Sequence, residues 1–238
     1  MFTSPSCDCS PLNSPAQRAN QQLQSLNLHF LQLLGFVRGR NDDMLGQFGL
    51  RLTAMLSKTL ASCDLDVLQR MSECGFCLYS LNLHCSRDWQ HLAECSARAV
   101  AKQPEITSCE NPVSNSVNTA ATLPNSTFLD FMNCAVFFTW HLAQHDGQAA
   151  RFMLGMSDAS ISALRTMDLK QCRYIAVHYR HLLRPRWQYN RYFWPNLLRY
   201  GLNGEAAYLQ FVRILGTQLI AQDLEPSALA FLRLGKPD

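Results

Sequence analysis

The sequence has no hydrophobic run long enough to cross a membrane. Its longest apolar stretch, Phe131–Trp140, is about ten residues long and is interrupted by Asn133 and Thr139, whereas a membrane-spanning helix needs about 20 apolar residues. The first ten residues, MFTSPSCDCS, contain no basic segment followed by an apolar one, so no secretory signal is expected. We therefore expect a cytoplasmic protein without membrane contact, whose ten cysteines are free thiols.

Motifs that carry enzymatic chemistry are also missing. There is no glycine-rich phosphate loop, no His-Glu-x-x-His and no nucleophile elbow, and the acidic residues are few and scattered. His141 and His145 share one face of a predicted helix, but no third metal ligand follows them. The sequence therefore predicts neither an enzyme nor a cofactor.

Charge is scarce and unevenly distributed. Only 16% of the residues are charged and 47% are hydrophobic, which is typical of a chain that forms a core. Residues 1–125 carry nine Lys and Arg against ten Asp and Glu, whereas residues 126–238 carry twelve against eight. Residues 165–199, called the basic segment below, hold eight basic residues and one acid, Asp168. The second half is therefore the candidate for binding a polyanion.

Apolar periodicity predicts an all-α fold. Apolar residues recur at three- and four-residue spacing along 23–37 and again along 129–143, as on one face of a helix. Alternating segments typical of strands are scarce. Potential helix-capping residues precede further apolar-periodic segments, and these are Thr53, Asp64, Ser157 and Asp168.

Composition divides the chain into four parts. Residues 1–21 are rich in Pro, Ser and Asn and are predicted to form a flexible tail. Residues 101–127 contain three prolines and many Ser, Thr and Asn, which predicts a linker. Two helical units remain, at 22–100 and 128–238.

The two units are similar to each other at a constant offset of 104 residues. Asp64 matches Asp168 and Leu65 matches Leu169, within an ungapped register that preserves caps and core positions together. Such self-similarity predicts two tandem helical units with helix-turn-helix-like corners. A partial third repeat is predicted at residues 219–235, within the C-terminal unit.

Residues 150–164 have the pattern of a helix-turn-helix corner. Gly155 can supply the tight turn, Ser157 can cap the second helix, and Ile161 and Leu164 can face the first helix. Ser, Thr and Arg on the outer face can contact phosphates or base edges, whereas Asp158 would repel phosphate. The alternative is an ordinary helical corner. The side chains predicted to face outward are Asp158, Ser160, Ser162, Arg165 and Thr166.

Along residues 173–199, arginine is interleaved with Tyr, Trp, Phe and His. Arginines neutralise phosphates, and aromatic rings stack on bases or form rigid flanks. The alternative is a solvated basic face above a core that contains Trp187, Phe193 and Trp194. The predicted DNA-binding residues of the corner and this segment are Ser160, Ser162, Arg165, Arg173, Arg180, Arg184, Arg186 and Arg191.

Six potential metal ligands lie close together in the first unit. Thiolates and imidazoles at this density can hold a tetrahedral zinc ion. Free cysteine is also a common small core residue, and two of these cysteines lie on one predicted helix without turn residues around them. Both alternatives stay open, and no metal site is assigned. The six residues are Cys74, Cys77, His84, Cys85, His91 and Cys95.

Two segments combine apolar and capping positions in a pattern that extends beyond a single helix. The first is Leu26–Leu31, with the sequence LNLHFL, followed by Phe48-x-Leu50 and capped helices up to Glu73. The second is His145–Ala176, which contains the A-x-F-x-L-G pattern of residues 150–155. Both segments resemble FlhD, a subunit of the flagellar transcriptional activator of bacteria, and the similarity covers most of both units.

The resemblance implies an all-α subunit that dimerises and acts with a second subunit, FlhC, as a DNA-binding activator of transcription. Distant relatives of that pair are master activators on conjugative mobile elements. This chain differs from FlhD because it contains two such units, which can pack on each other as a built-in pseudo-dimer. The zinc-binding cysteine cluster of FlhC does not align with the cysteines found here.

We therefore expect a component of a heteromeric DNA-binding transcriptional activator, controlling a mobile element or a flagellum-like regulon. The expected partners are DNA and an FlhC-like protein subunit, with RNA polymerase and a second copy of the chain as further partners. The alternative is a helical scaffold or chaperone-like interaction module that does not contact DNA.

Overall fold

The computed structural model describes residues 14–37, 52, 54–81, 86–102 and 119–224. These residues are mostly helical, so the predicted all-α class is confirmed. None of the helices in the described ranges is long and apolar enough to cross a membrane. The α-helices are α1 (Pro15–Val37), α2 (Ala54–Ala61), α3 (Leu65–Ser72), α4 (Ser86–Ala101), α5 (Thr119–His145), α6 (Gly147–Leu154), α7 (Asp158–Arg165), α8 (Leu169–His178), α9 (Phe193–Asn203) and α10 (Ala206–Leu224).

Two short antiparallel strands connect distant parts of the chain. Strand β1 (Tyr79–Ser80) pairs with β2 (Arg184–Pro185), which follows a 3₁₀ turn at Arg180–Leu182. The backbone N–H of Arg186 continues this pairing by donating to the carbonyl of Leu78 at 2.8 Å. Strands of two residues are too short to show alternation in sequence, so the periodicity did not predict them.

The core is one continuous cluster of buried side chains around α5. Helix α5 packs against α1, α6, α7 and α8, while α4 covers α7 and α8. Helix α9 packs on α2, α3 and α10. The rings of Phe30, Tyr79 and Phe131 meet in this core, with centroids 5.2–5.6 Å apart. Elements from both predicted units therefore share the cluster, and their tandem relation stays a prediction.

Helices extend into both segments that were predicted to be irregular. Helix α1 begins at Pro15, where Ser14 and Gln17 form two reciprocal hydrogen bonds. The Gln17 N–H donates to Ser14 Oγ at 3.3 Å, and the Ser14 N–H donates to Gln17 Oε1 at 2.8 Å. A capping box followed by proline as the first helical residue is a common helix start. The flexible tail was predicted from the Pro, Ser and Asn content alone, which does not distinguish this helix start from an irregular segment. Helix α5 begins at Thr119, within the predicted linker 101–127, of which residues 103–118 lie outside the described ranges.

Three of the four predicted capping residues lie within the described ranges. The Ser157 side chain accepts from the Ser160 N–H, and Asp168 forms a complete capping box with Gln171. Asp64 stands at the N-cap of α3 but makes no capping hydrogen bond with its side chain. Thr53 lies outside the described residues. The capping pattern therefore located the starts of α3, α7 and α8 correctly, and in the last two the predicted side chain also makes the capping bond.

A buried asparagine holds the segment that leads into β1. Asn27 is fully buried on α1, and its Nδ2 donates to the carbonyls of Ser72 and Phe76 at 3.2 and 2.9 Å. Its Oδ1 accepts from the Leu78 N–H at 2.9 Å. These bonds fix the loop between α3 and β1, and thereby the strand that pairs with β2.

Candidate functional site

The predicted corner is formed by α6, a glycine turn and α7, and spans residues 147–165 in the structure. Gly155 ends α6 in the left-handed conformation, with φ 66° and ψ 37°, and its N–H bonds to the Arg151 carbonyl. A residue with a Cβ is disfavoured in this conformation. Ile161 and Leu164 of α7 are buried, as the pattern predicted. The corner thus holds α7 at a fixed angle to α6.

The outer face of α7 differs from the expectation at one predicted DNA-binding residue. Ser160 is 5% exposed, and its hydroxyl lies 2.9 Å from Ser157 Oγ. The expectation that Ser160 faces outward was wrong, because it lies one helical turn before the buried Leu164, on the same side of α7. Ser162 and Arg165 are exposed as predicted, and the Arg165 Nε donates to the Ala143 carbonyl at 2.7 Å.

Arg186 is the second predicted residue that lies inside the protein. Its side chain is 5% exposed, and its Nη2 lies 3.4 Å from Asp223 Oδ2. Its Nη1 donates to the Met153 carbonyl at 3.3 Å, and its guanidinium stacks over the Trp187 ring. Burial lowers the pKa of Arg186, and the nearby Asp223 acts in the opposite direction. Arg186 is therefore not at the surface, where it was expected to neutralise phosphate. Its backbone N–H is bonded to the Leu78 carbonyl, and this bond holds residue 186 next to the core.

The other predicted arginines lie at the surface. Arg173 and Arg191 are exposed, and Arg180 and Arg184 are half-buried. Among the residues that the structure describes, none of these four forms an ion pair with an acid. The single acid of the basic segment, Asp168, is engaged as the cap of α8. The surface of this segment is therefore strongly cationic.

Tyrosines supply most of the exposed aromatic surface of the basic segment. Phe193 and Trp194 are almost completely buried, as the core interpretation expected, and Trp187 is half-buried. Tyr189 and Tyr192 are 84% and 59% exposed. The Arg191 guanidinium lies 5.6 Å from the centre of the Tyr192 ring, so a cation and an exposed ring stand side by side.

The cations of the basic segment are carried by elements that pack on different parts of the core. Arg165 and Arg173 belong to the pair α7 and α8, which packs on α4 and α5. Arg191 and Arg199 flank or belong to α9, which packs on α2, α3 and α10. Arg180 and Arg184 lie on the connection between these two groups.

The cysteines of the first unit fall into two different environments. Cys74 and Cys77 are buried, and burial raises the pKa of each thiol to about 12, which disfavours the thiolate that zinc requires. Cys95 Sγ lies on α4, 3.5 Å from His91 Nε2. His84 and Cys85 lie outside the described residues. Within the described ranges, no three metal-ligating side chains come together.

A cavity of about 310 Å³ lies beneath the corner, and no pattern in the sequence indicated it. Its lining comes from β1, α4, α5, the corner, the segment after β2 and the end of α10. These segments are far apart along the chain, so no local motif marks the site. Arg186 and Ser160, the two residues misplaced by the sequence interpretation, both line it.

Comparison with known proteins gives no relative for this chain: no family model, no curated protein and no solved structure matches it. The resemblance to FlhD therefore stays a prediction that rests on the residues quoted above.

Proposed function

We propose that this protein binds DNA through the exposed cations of the basic segment and is one component of a heteromeric, FlhD-like transcriptional activator. The observation that carries the proposal is the excess of surface cations that no described acid neutralises. Such a surface matches the phosphate backbone of DNA, because each phosphate contact releases condensed counterions.

Several contacts have to act together for this binding. A single screened surface cation contributes about 1 kcal/mol or less. Arg165, Arg173 and Arg191 are the exposed arginines of the predicted set, and Lys170 and Arg199 add two further exposed cations. Ser160 and Arg186 take no part in the proposed interface, because both are buried.

The corner is compatible with a nearby phosphate backbone. Asp158, at the start of α7, would repel DNA, but its Oδ2 lies 3.2 Å from Arg151 Nη1. This ion pair offsets the negative charge at the start of α7, the helix that also carries Ser162 and Arg165. The exposed Tyr189 and Tyr192 can flank the backbone or stack on unpaired bases.

A titration with duplex DNA at two salt concentrations tests the proposal. We expect binding by the protein alone that weakens steeply as salt rises, because it depends on phosphate contacts. Adding the protein encoded by the adjacent gene, as the candidate second subunit, should add a preference for particular sequences. Absence of DNA binding at both salt concentrations, with and without that subunit, would contradict the proposal.

A specific observation also favours the alternative function, a protein-interaction module. Helix α10 buries Leu209 and Val212 against the core, yet Tyr208, Phe211 and Ile214 on its other side are 49%, 65% and 47% exposed. A helix that is apolar on more than one side usually packs against a second partner.

Sedimentation of the protein over a range of concentrations tests whether a second copy covers this face of α10. We expect Phe211→Glu to abolish concentration-dependent dimerisation, while Gln32→Glu, an exposed charge-matched control on α1, preserves it. Wild-type protein that remains monomeric at all concentrations would exclude self-association through α10.

A further inference from the structure

The cavity beneath the corner contains a buried positive charge. Among the described residues that line it, Arg186 is the one cation and Asp223 the one acid. The Arg186 side chain is 5% exposed, whereas that of Asp223 is 46% exposed. The guanidinium therefore lies inside the cavity and the carboxylate at its edge.

Asp223 satisfies the guanidinium only in part. The Nη2–Oδ2 distance of 3.4 Å is longer than the 2.7–2.9 Å typical of strong charge-assisted hydrogen bonds. The guanidinium also donates to the Met153 carbonyl, at 3.3 Å. It has five N–H donors in a fork that matches a carboxylate. The same oxygen, Asp223 Oδ2, also accepts from the Trp187 Nε1, at the shorter distance of 3.0 Å.

The remaining lining is mixed. Trp89, Trp187 and Met156 contribute apolar side chains, and five other lining residues carry a hydroxyl group, namely Tyr79, Ser80, Thr139, Ser157 and Ser160. A volume of about 310 Å³ is at the lower end of the range of ligand pockets. Such a cavity has room for a small molecule that combines an apolar ring with polar groups.

We propose that this cavity binds a small organic carboxylate, whose anionic group pairs with Arg186 and whose planar apolar body lies against Trp89 and Trp187. One buried cation matches one negative charge, so a monoanion is favoured over a phosphate dianion. In the absence of ligand, Asp223 occupies part of the place of that carboxylate. The inference is independent of DNA binding, since none of these residues belongs to the proposed interface.

Binding would connect two parts of the fold. The ligand carboxylate displaces Asp223 from Arg186, and Asp223 lies in the last turn of α10. The same guanidinium is bonded to Met153, at the end of α6 and two residues before Gly155. Occupation of the cavity should therefore alter the environment of the corner and of the end of α10 together.

Titration of ¹⁵N-tryptophan-labelled protein with benzoate, followed by NMR, tests the proposal. We expect saturable shifts of the indole signals of Trp89 and Trp187, because both residues line the cavity. Trp140, whose Nε1 donates to the Met167 carbonyl, serves as the internal reference. Benzamide, which has the same shape without the charge, should bind at least tenfold more weakly. Equal affinity for benzoate and benzamide would overturn the proposal.

Two variants locate the anion. Asp223→Asn removes the competing carboxylate and should tighten benzoate binding about fivefold. Arg186→Met removes the cation at similar size and should abolish the preference for benzoate over benzamide. If Arg186→Met fails to fold, the benzoate affinity of Asp223→Asn tests the proposal by itself. Asp223 is half-exposed, so we expect this variant to fold. Unchanged benzoate affinity in Asp223→Asn, or no saturable binding by either it or the wild type, would refute the proposed site.

Discussion

Replacing Gly155 with alanine should destabilise the protein far more than the same change at Gly204. Both glycines have a left-handed backbone, with φ 66° and 69°. A non-glycine residue in this conformation costs about 1–2 kcal/mol. A Cβ at Gly204 meets no atom within 4 Å, so the strain is the whole cost there. At Gly155 the added Cβ would overlap Arg186 Nη2.

The additional cost at Gly155 comes from Arg186. The end of an arginine normally yields at little cost, but this one is enclosed and can retreat only by leaving Met153 and Asp223. Hydrogen bonds to charged groups contribute about 1.5–3 kcal/mol each, and the long distances and the half-exposed Asp223 favour the lower end. We therefore expect Gly155→Ala to cost about 4–5 kcal/mol in total.

Urea denaturation of the wild type and the two alanine variants measures this difference. Both variants should unfold cooperatively, with the midpoint of Gly155→Ala clearly below that of Gly204→Ala. Equal destabilisation of the two variants would refute the reasoning, since it would mean that Arg186 is not held against Gly155.

Three further predictions concern stability. Asp168→Ala should lower the free energy of unfolding by about 1 kcal/mol, because it removes a capping box. Asp64→Ala should leave it almost unchanged, because the Asp64 side chain makes no capping bond. Equal losses of stability in thermal denaturation would contradict this prediction. Cys74 and Cys77 have pKa values raised to about 12 from 9.0, so their contribution to stability is complete below pH 9 and is lost as the pH rises toward 12. Urea denaturation should show this decline, and Cys77→Ala should make it shallower; an identical pH profile would argue against it. Asn27→Ala should cost about 3 kcal/mol, because it leaves the buried Leu78 N–H and the Phe76 carbonyl without their partner, while the Ser72 carbonyl keeps the Cys74 N–H. A loss below about 1 kcal/mol in the same assay would show that the loop does not depend on this residue.

Local signals predicted the helices well. The spacing of apolar residues identified α1 and α5, and the caps at Ser157 and Asp168 located α7 and α8. These features depend on residues a few positions apart, so a single sequence reveals them. Gly155 was identified for the same reason, since a turn between two helices requires its conformation.

Contacts between distant segments were not predictable from the sequence. The pairing of β1 with β2 turns Arg186 inward, although its neighbours in sequence suggested a surface arginine. Ser160 was assigned to the outer face because the direction of α7 relative to the core was unknown. The cavity is lined by both Arg186 and Ser160, so it could not be predicted without knowing that these side chains point inward.

The salt dependence of DNA binding by a charge-reversal variant tests the central claim most directly. Arg173→Glu combined with Arg191→Glu changes two exposed cations of the basic segment, and Lys58→Glu combined with Arg98→Glu is a control with the same change of net charge outside it. Each lost phosphate contact should reduce the slope of log K against log salt by about 0.9. We predict a slope shallower by about 1.8 for the first variant and an unchanged slope for the control. An unchanged slope for both, or an equal reduction in both, would contradict DNA binding through the basic segment.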